Sequence, residues 1–400
     1  MSRISLTAAC CIAWVLCTAR PAVGLAAERS TVPGKQPDGP HARYTFGILG
    51  GQRQVLTAGG RLCWLNPQGE VCIAPKPALT PGGAEIAAPA PAVKLKLSGI
   101  PQALEWIDEG RTLAVGTGKH IAFVDVRDGA APKLLKELQI AAREHLGGAE
   151  MKRMGSALYV ASRRQGLLRI DVEDPGDPKP GAPVALGGMA MSLDARPDLM
   201  VVANGAGLVF LRSEGESFKV ASRADTPRRA EVVRMSGDRL IVCSKEYTVF
   251  YDIADPSKLR EVGEVSNRDP FFYSHNVGVQ IAGDRVYVAS TEGGLYVHEW
   301  KKDAPPRFKA QFSFWGNSRR LTAEQKLKYL SDNGIAGPPE KLLAAVPERE
   351  NIRICAVGLV VEEPFVFLAD NDGKLWALEV QPDGDASSSR PVVRCAARPE

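Results

Sequence analysis

The chain has 400 residues, of which 44% are hydrophobic and 24% are charged, and its formal net charge at pH 7 is +4. So small an excess of positive charge argues against nucleic acid or an anionic membrane as the main partner. The 5 histidines leave few candidates for a catalytic general base.

The first 26 residues have the pattern of a signal peptide. Arg3 precedes the apolar run 4–19, and the small residues Gly24 and Ala26 suit a cleavage site before residue 27. The run is shorter than the roughly 20 apolar residues that cross a bilayer, and an uncleaved anchor is the alternative. We therefore expect an extracytoplasmic mature chain (periplasmic, secreted or on the cell surface) with no transmembrane span.

Residues 27–41 contain Pro, Gly, Ser and Lys without a hydrophobic period, which predicts a disordered lead-in. No later shift in composition marks a domain boundary. The range 42–400 is long for one domain, but propellers grow by radial repetition. We expect a single domain over 42–400 that is monomeric.

One pattern recurs along the chain: an alternating apolar run, a short polar turn and a second apolar run. The middle of the first run falls at Leu56, Ala114, Tyr159, Val201, Ile241, Tyr287 and Phe367. The five inner positions are 40–46 residues apart, the length of a four-stranded propeller blade. The pattern predicts an all-β, seven-bladed β-propeller, and the irregular first and last units leave six or eight blades as alternatives.

The pattern is clearest at 159–178, YVASRRQGLLRIDVEDPGDP, and at 241–259, IVCSKEYTVFYDIADPSKL. These segments resemble the LVIVD repeat, a β-propeller repeat of secreted and surface-exposed bacterial and archaeal proteins. The resemblance covers about residues 42–395. It departs in the fourth unit, which lacks the Asp-Pro turn, and in the first unit. It implies a fold and an exported location, but not a particular activity.

Five cysteines follow the leader, and an odd number in an exported chain predicts at least one thiol outside intramolecular disulfides. Cys63 and Cys72 flank a Pro-Gly turn that could place them opposite each other, so a bridge and two separate thiols both remain open. Cys355 and Cys395 are a second candidate pair in the last unit. We interpret Cys243 as a small buried residue. With no CxxC pair, we expect no structural zinc site. We expect no metal and no cofactor, and a metal ion bound by His275 and His145 is the alternative.

In propellers, the loops that enter each innermost strand surround one mouth of the central channel. The position twelve before each repeat marker predicts this rim, at Tyr44, Gln102, Gly147, Met189, Arg229, His275 and Cys355. His145 lies two residues before Gly147. These residues vary from unit to unit, whereas packing alone would repeat more closely.

The richest rim loop carries Phe271, Phe272 and Tyr273 just before His275. Three consecutive aromatic residues cannot all be buried on one face of a strand. The insertion 315–350, which opens at Trp315, has capping-box spacing at Thr322 and predicts a small helical insert between units six and seven. We expect this insert to cover the aromatic residues as a cap.

Two functions are compatible with such a rim. The first is binding or scaffolding of a protein, peptide or glycan at the cell envelope, through Arg229, Phe271, Phe272, Tyr273, His275 and Trp315. The second is a propeller hydrolase or lyase with His275 and His145 as catalytic candidates. The recurring Asp125, Asp171 and Asp252 are interpreted as structural hydrogen-bonding residues. The sequence therefore favours a binding protein, with an enzyme as the alternative.

Overall fold

The computed structural model describes residues 55–65, 70–79, 93–141, 150–267, 275–312, 338, 356–370, 375–380 and 393–396, with brief gaps at 96, 100, 109, 129–130, 216, 246, 292 and 303. These residues form seven four-stranded antiparallel sheets and no helix, which confirms the predicted seven-bladed β-propeller. All the strands belong to one compact unit, Tyr44–Glu400.

Each blade is a meander built from consecutive strands. Blade 1 contains β1 (Val55–Ala58), β2 (Arg61–Leu65), β3 (Val71–Pro75) and β4 (Val93–Leu95). Blade 2 contains β5 (Pro101–Asp108), β6 (Thr112–Thr117), β7 (His120–Asp125) and β8 (Lys133–Gln139). Blade 3 contains β9 (Met151–Met154), β10 (Ala157–Ser162), β11 (Gly166–Asp171) and β12 (Lys179–Pro180). Blade 4 contains β13 (Ser192–Arg196), β14 (Leu199–Ala203), β15 (Gly207–Glu214) and β16 (Ser217–Asp225).

The remaining blades follow the same order. Blade 5 contains β17 (Val232–Ser236), β18 (Arg239–Ser244), β19 (Tyr247–Asp252) and β20 (Arg260–Ser266). Blade 6 contains β21 (Asn276–Ala282), β22 (Arg285–Ser290), β23 (Gly294–Glu299) and β24 (Arg307–Phe312). Blade 7 contains β25 (Ala356–Glu362), β26 (Phe365–Asp370), β27 (Leu375–Glu379) and β28 (Val393–Ala396).

Burial follows the position of each strand in its blade. All six residues of β6 and of β10 are buried, because each central strand lies between the sheets of two neighbouring blades. The outer strand β8 is mostly exposed. This difference explains why the second strands are nearly continuous apolar runs, whereas the outer strands are not.

The ring closes between blades 7 and 1 by side-chain packing. Each blade takes its described strands from one continuous stretch of chain, and β25 contacts β1. Trp64 and Phe367 belong to one buried cluster across this junction. Lys76 and Glu362 form an ion pair at its edge. Closure, which the repeat pattern left open, therefore depends on an apolar interface and not on a shared sheet.

Hydrogen bonds link the innermost strands of neighbouring blades. In each, a side chain of one blade accepts a hydrogen bond from a backbone N–H group of the next blade. Glu105, Asp194 and Gln280 each lie opposite the repeat marker of their own blade. They accept hydrogen bonds from the N–H groups of Arg153 (3.1 Å), Met235 (2.9 Å) and Val361 (2.8 Å), respectively. An innermost strand has no strand on its channel side, so these acceptors satisfy N–H groups that would otherwise be left unpaired.

The recurring aspartates have a local structural role. Asp125, Asp171 and Asp252 each end the third strand of a blade. Their Oδ1 atoms accept the backbone N–H two residues later, from Arg127 (3.0 Å), Glu173 (3.0 Å) and Ala254 (2.9 Å). The interpretation as structural hydrogen-bonding residues is correct: the shared bond forms an Asx turn within the blade, and Oδ2 of Asp252 also pairs with Arg260 on the adjacent strand β20.

In the first blade the repeat marker is misplaced, and one of the two alternatives for the cysteines is excluded. The repeat markers of the other blades lie on their second strands, but Leu56 lies on the innermost strand β1. The residue of blade 1 that corresponds to the other markers is Cys63, which pairs with Leu56. Cys63 pairs with Ile73, while Cys72 pairs with Trp64. This register places the two cysteine side chains on opposite faces of the sheet, in different core clusters, so no disulfide joins them. The segment 66–70 between the paired residues is one residue longer than a symmetric turn centred on Pro67 and Gln68 requires.

Candidate functional site at the channel mouth

One face of the propeller carries both the loops before the innermost strands and the turns between second and third strands, because strand direction alternates within each sheet. We call this face the channel mouth. The segment before β17 contains Arg229 and Glu231, and His275 comes directly before β21. Lys245 follows β18 in the adjoining turn. The fold therefore brings polar groups of blades 5 and 6 to one place.

Glu231 lies at the centre of this group. Its Oε1 is 3.4 Å from Nε of Arg229, and its Oε2 is 3.0 Å from Nε2 of His275. The backbone N–H of Lys245 donates to the same Oε2 at 3.2 Å. His275 is anchored in turn, since its N–H donates to Oγ1 of Thr291 at 3.0 Å. Two predicted rim residues, Arg229 and His275, thus meet at one carboxylate.

The surroundings of Glu231 favour its ionised form. Burial by itself would raise the pKa of this carboxyl group, but the hydrogen bond and charge of His275, the Lys245 N–H and the charge of Arg229 together lower the pKa below its ordinary value. The Glu231 side chain is 8% exposed, whereas that of Arg229 is 32% exposed. A shielded anion therefore holds a more accessible cation at the mouth.

The repeat pattern identified Arg229 but missed Glu231. Residues two apart in an extended segment have side chains on the same side, so an acidic residue two positions after a rim arginine was a usable signal. That Glu231 also reaches His275 could not be read from the sequence, because the two lie in different blades.

Arg163 extends the group toward blade 3. Its carbonyl accepts the N–H of Ala190 at 2.8 Å, which places it beside the loop that enters blade 4. Gly205 lies in the turn between β14 and β15. A Cβ atom added to this glycine would be 3.9 Å from the carbonyl oxygen of Met189 and 3.9 Å from Nε of Arg229, so Arg229 lies beside this turn. Burial and then the charge of Arg229 lower the pKa of Arg163. Arg163 and Arg229 therefore add like charge to neighbouring parts of the mouth.

A second polar cluster joins blades 5 and 6 beneath the surface. Nδ2 of Asn267 donates to Oγ1 of Thr248 at 2.8 Å, and Nε2 of His298 lies 3.0 Å from Oδ1 of Asn267. Because that amide oxygen only accepts, His298 carries its proton on Nε2. Burial lowers the pKa of His298 to about 4. The ring stays neutral near neutral pH, and the cluster is a structural link between the blades.

The catalytic alternative requires two imidazoles and a carboxylate around one cavity. At Glu231 the structure brings together one imidazole, that of His275, and one carboxylate. His145 lies outside the described residues. This arrangement fixes the orientation of His275 but does not by itself form the constellation that the hydrolase or lyase hypothesis needs.

Several predicted site residues fall outside the residues that the structure describes: Phe271, Phe272, Tyr273, Trp315 and Cys355, with the whole leader, the lead-in 27–41 and most of the insertion 315–350. Cys395 lies on β28, paired in register with Trp376. The helical cap and the Cys355–Cys395 bridge therefore stay predictions.

Among the described residues, no three side chains of His, Cys, Asp or Glu are grouped so that they could hold a metal ion. The same residues contain no helix long and apolar enough to cross a membrane.

Comparison with solved structures supports the fold. A chain of the mitotic checkpoint complex superposes with a TM-score of 0.54 at 12% identity, covering 88% of this chain and 99% of that one. Kluyveromyces lactis Hsv2 gives a TM-score of 0.50 at 10% identity, covering 82% and 91%. The N-terminal domain of Nup159 gives 0.50 at 9%, covering 82% and 89%. Such low identities establish the shared WD40-like propeller fold alone.

No protein-family model matches the chain, and no curated protein sequence matches it significantly.

Proposed function

We propose that this protein is an exported β-propeller that binds or scaffolds a protein, peptide or glycan at the cell envelope through the channel mouth. The observation that supports the proposal most is the cluster of Arg229, Glu231 and His275, whose side chains differ from those at the same positions in the other blades. The fold is that of WD40-like scaffolds, which supports a protein-binding module in general.

The position of the charges also supports binding at this face. Arg228 pairs with Glu264 at 3.1 Å and lies over the ring of Tyr247, 3.9 Å from its centroid. An arginine stacked on an aromatic ring is a rigid contact surface of the kind enriched at protein interfaces. The mouth thus combines oriented cations with an aromatic face.

Export can be tested separately from binding. Fractionation of cells that make the full chain should place the protein outside the cytoplasm, with a mature N-terminus at residue 27. Recovery of the full-length protein in the cytoplasm would contradict the envelope location.

Photo-crosslinking tests the binding face. A photoreactive phenylalanine derivative replaces Arg164, which is exposed in the turn between β10 and β11 at the mouth. The matched control carries the same group at Lys258, in the turn between β19 and β20 on the opposite face. We expect a discrete crosslinked partner from position 164 and not from position 258. No adduct, or the same adducts from both positions, would overturn the proposal.

A further inference from the structure

Basic residues occupy two turns of the mouth in an unfavourable backbone conformation. Arg163 has φ = 33° and Lys245 has φ = 41°, and they directly follow the second strands of blades 3 and 5. In the corresponding turn of blade 4, the residue with positive φ is Gly205, at 79°. The left-handed region suits glycine, whereas arginine and lysine are strained there. Backbone strain of this kind is characteristic of functional positions. It indicates that arginine and lysine occupy these turns because their side chains have a function there.

The same residues surround a place where positive charge accumulates. The carbonyl of Arg163 accepts the N–H of Ala190 at 2.8 Å, and a Cβ added at Gly205 in the following turn would be 3.9 Å from Nε of Arg229, so both arginines border the loop and turn of blade 4 at the mouth. Lys245, exposed beside Glu231, forms no ion pair through its ammonium group with any residue that the structure describes. A carboxylate accepts paired hydrogen bonds from an arginine guanidinium, so an acidic group suits either Arg163 or Arg229.

The surrounding charges distinguish an acidic peptide from a polyanion. Glu231 pairs with Arg229 at 3.4 Å, and Glu264 pairs with the neighbouring Arg228 at 3.1 Å. A nucleic acid presents negative charge at every phosphate and would be repelled by the carboxylates, and a formal charge of +4 for the whole chain is low for such a ligand. A peptide with a few spaced carboxylates can place them at the cations of the protein. Its neutral residues then lie beside Glu231 and Glu264.

We propose that the channel mouth binds an acidic peptide segment of a partner protein, with carboxylates of the segment held by Arg163 and Arg229 and flanked by Lys245. This inference rests on the proposed binding function and specifies its ligand class.

The test measures the anisotropy of a fluorescein-labelled oligoglutamate peptide, with oligoglutamine of the same length as the neutral reference. The test variant is the double substitution Arg163→Gly and Lys245→Gly. Glycine relieves the positive φ, so folding should be unimpaired, which circular dichroism and the melting temperature check. The matched control, Lys219→Ala with Lys258→Ala, removes the same charge from the outer strand β16 and from the opposite face.

Wild-type protein should bind oligoglutamate and not oligoglutamine. The glycine variant should raise the Kd about tenfold or more, and the control should stay within about twofold of wild type. Equal affinity of wild type and the glycine variant, or an equal loss in the control, would overturn the inference. A single-stranded oligonucleotide of equal charge that binds as tightly as oligoglutamate would also overturn it, since the mouth would then recognise charge alone.

The outcome is separable from that of the proposed function. If position 164 crosslinks a partner but oligoglutamate does not bind, the acidic ligand is wrong and the binding function stands. If position 164 crosslinks nothing, the binding function itself is wrong.

Discussion

Glu150 and Arg234 form a buried ion pair that spans blade 4. Oε1 of Glu150, at the start of blade 3, lies 2.5 Å from Nη2 of Arg234 in blade 5, and the two side chains are 0% and 8% exposed. The other carboxylate oxygen accepts the hydroxyl of Ser192 at 2.5 Å and the N–H of Leu193 at 3.3 Å in blade 4. One carboxylate therefore joins three consecutive blades at the channel wall.

Replacing Glu150 with Gln should destabilise the propeller strongly. The change leaves the Arg234 guanidinium buried without its counter-charge, which costs about 3–5 kcal/mol in comparable buried pairs. Urea unfolding followed by tryptophan fluorescence measures the loss. Asp177→Asn, which breaks the exposed pair with Lys179, is the control and should change stability by less than about 1 kcal/mol. Similar small losses for both variants would show that the buried pair contributes little.

Gln280 should link blades 6 and 7 through both atoms of its amide. Its Oε1 accepts the N–H of Val361 at 2.8 Å and its Nε2 donates to the carbonyl of Leu359 at 3.3 Å. Gln280→Ala leaves both backbone groups without these partners and should cost about 1–3 kcal/mol, while Gln280→Glu keeps only the accepting contact and should fall in between. Chemical denaturation midpoints of the three proteins provide the measurement, and an identical midpoint for the alanine variant would contradict the link.

The thiols of Cys63 and Cys72 should be present without a mutual disulfide and should react slowly in the folded protein. Both are buried, and burial raises the pKa of the Cys63 thiol far above its ordinary value. Alkylation without reductant, before and after unfolding, followed by mass spectrometry of the 61–75 segment, counts the modified thiols. Two alkylated cysteines only after unfolding are expected. A segment that resists alkylation until reductant is added would restore the bridge.

The free energy of unfolding should decrease as the pH is lowered, because His298 is buried in its neutral form. Burial lowers its pKa from 6.5 to about 4 in the folded state, so the unfolded chain takes up the proton first. The contribution of the neutral ring is therefore complete above pH 6.5, declines as the pH falls toward 4, and amounts to about 3 kcal/mol over that window.

Unfolding measured across this pH window in wild type and in His298→Gln tests the prediction, since the glutamine cannot take up the proton. If His298→Gln and wild type lose stability in parallel, the ring is not responsible.

The first blade illustrates how a sequence pattern can be right about strands and wrong about contacts. Alternation and turn residues identified the hairpin that contains Cys63 and Cys72, but one additional residue between the strands changed which residues face each other. Because side chains alternate between faces, a shift of one residue moves every side chain to the other face. Register within a hairpin is therefore beyond a pattern that detects only strand length and turn chemistry.

The sequence by itself determined the seven-bladed fold. Second strands such as β10 must be apolar on both faces because neighbouring blades cover both, and that requirement returns at every blade and leaves a periodic signal. Only the tertiary structure decided that Glu231 joins Arg229 to His275, and that Glu150 reaches Arg234 across an intervening blade. These contacts depend on the order and tilt of blades around the ring, so residues distant in the chain meet without any local pattern to mark them.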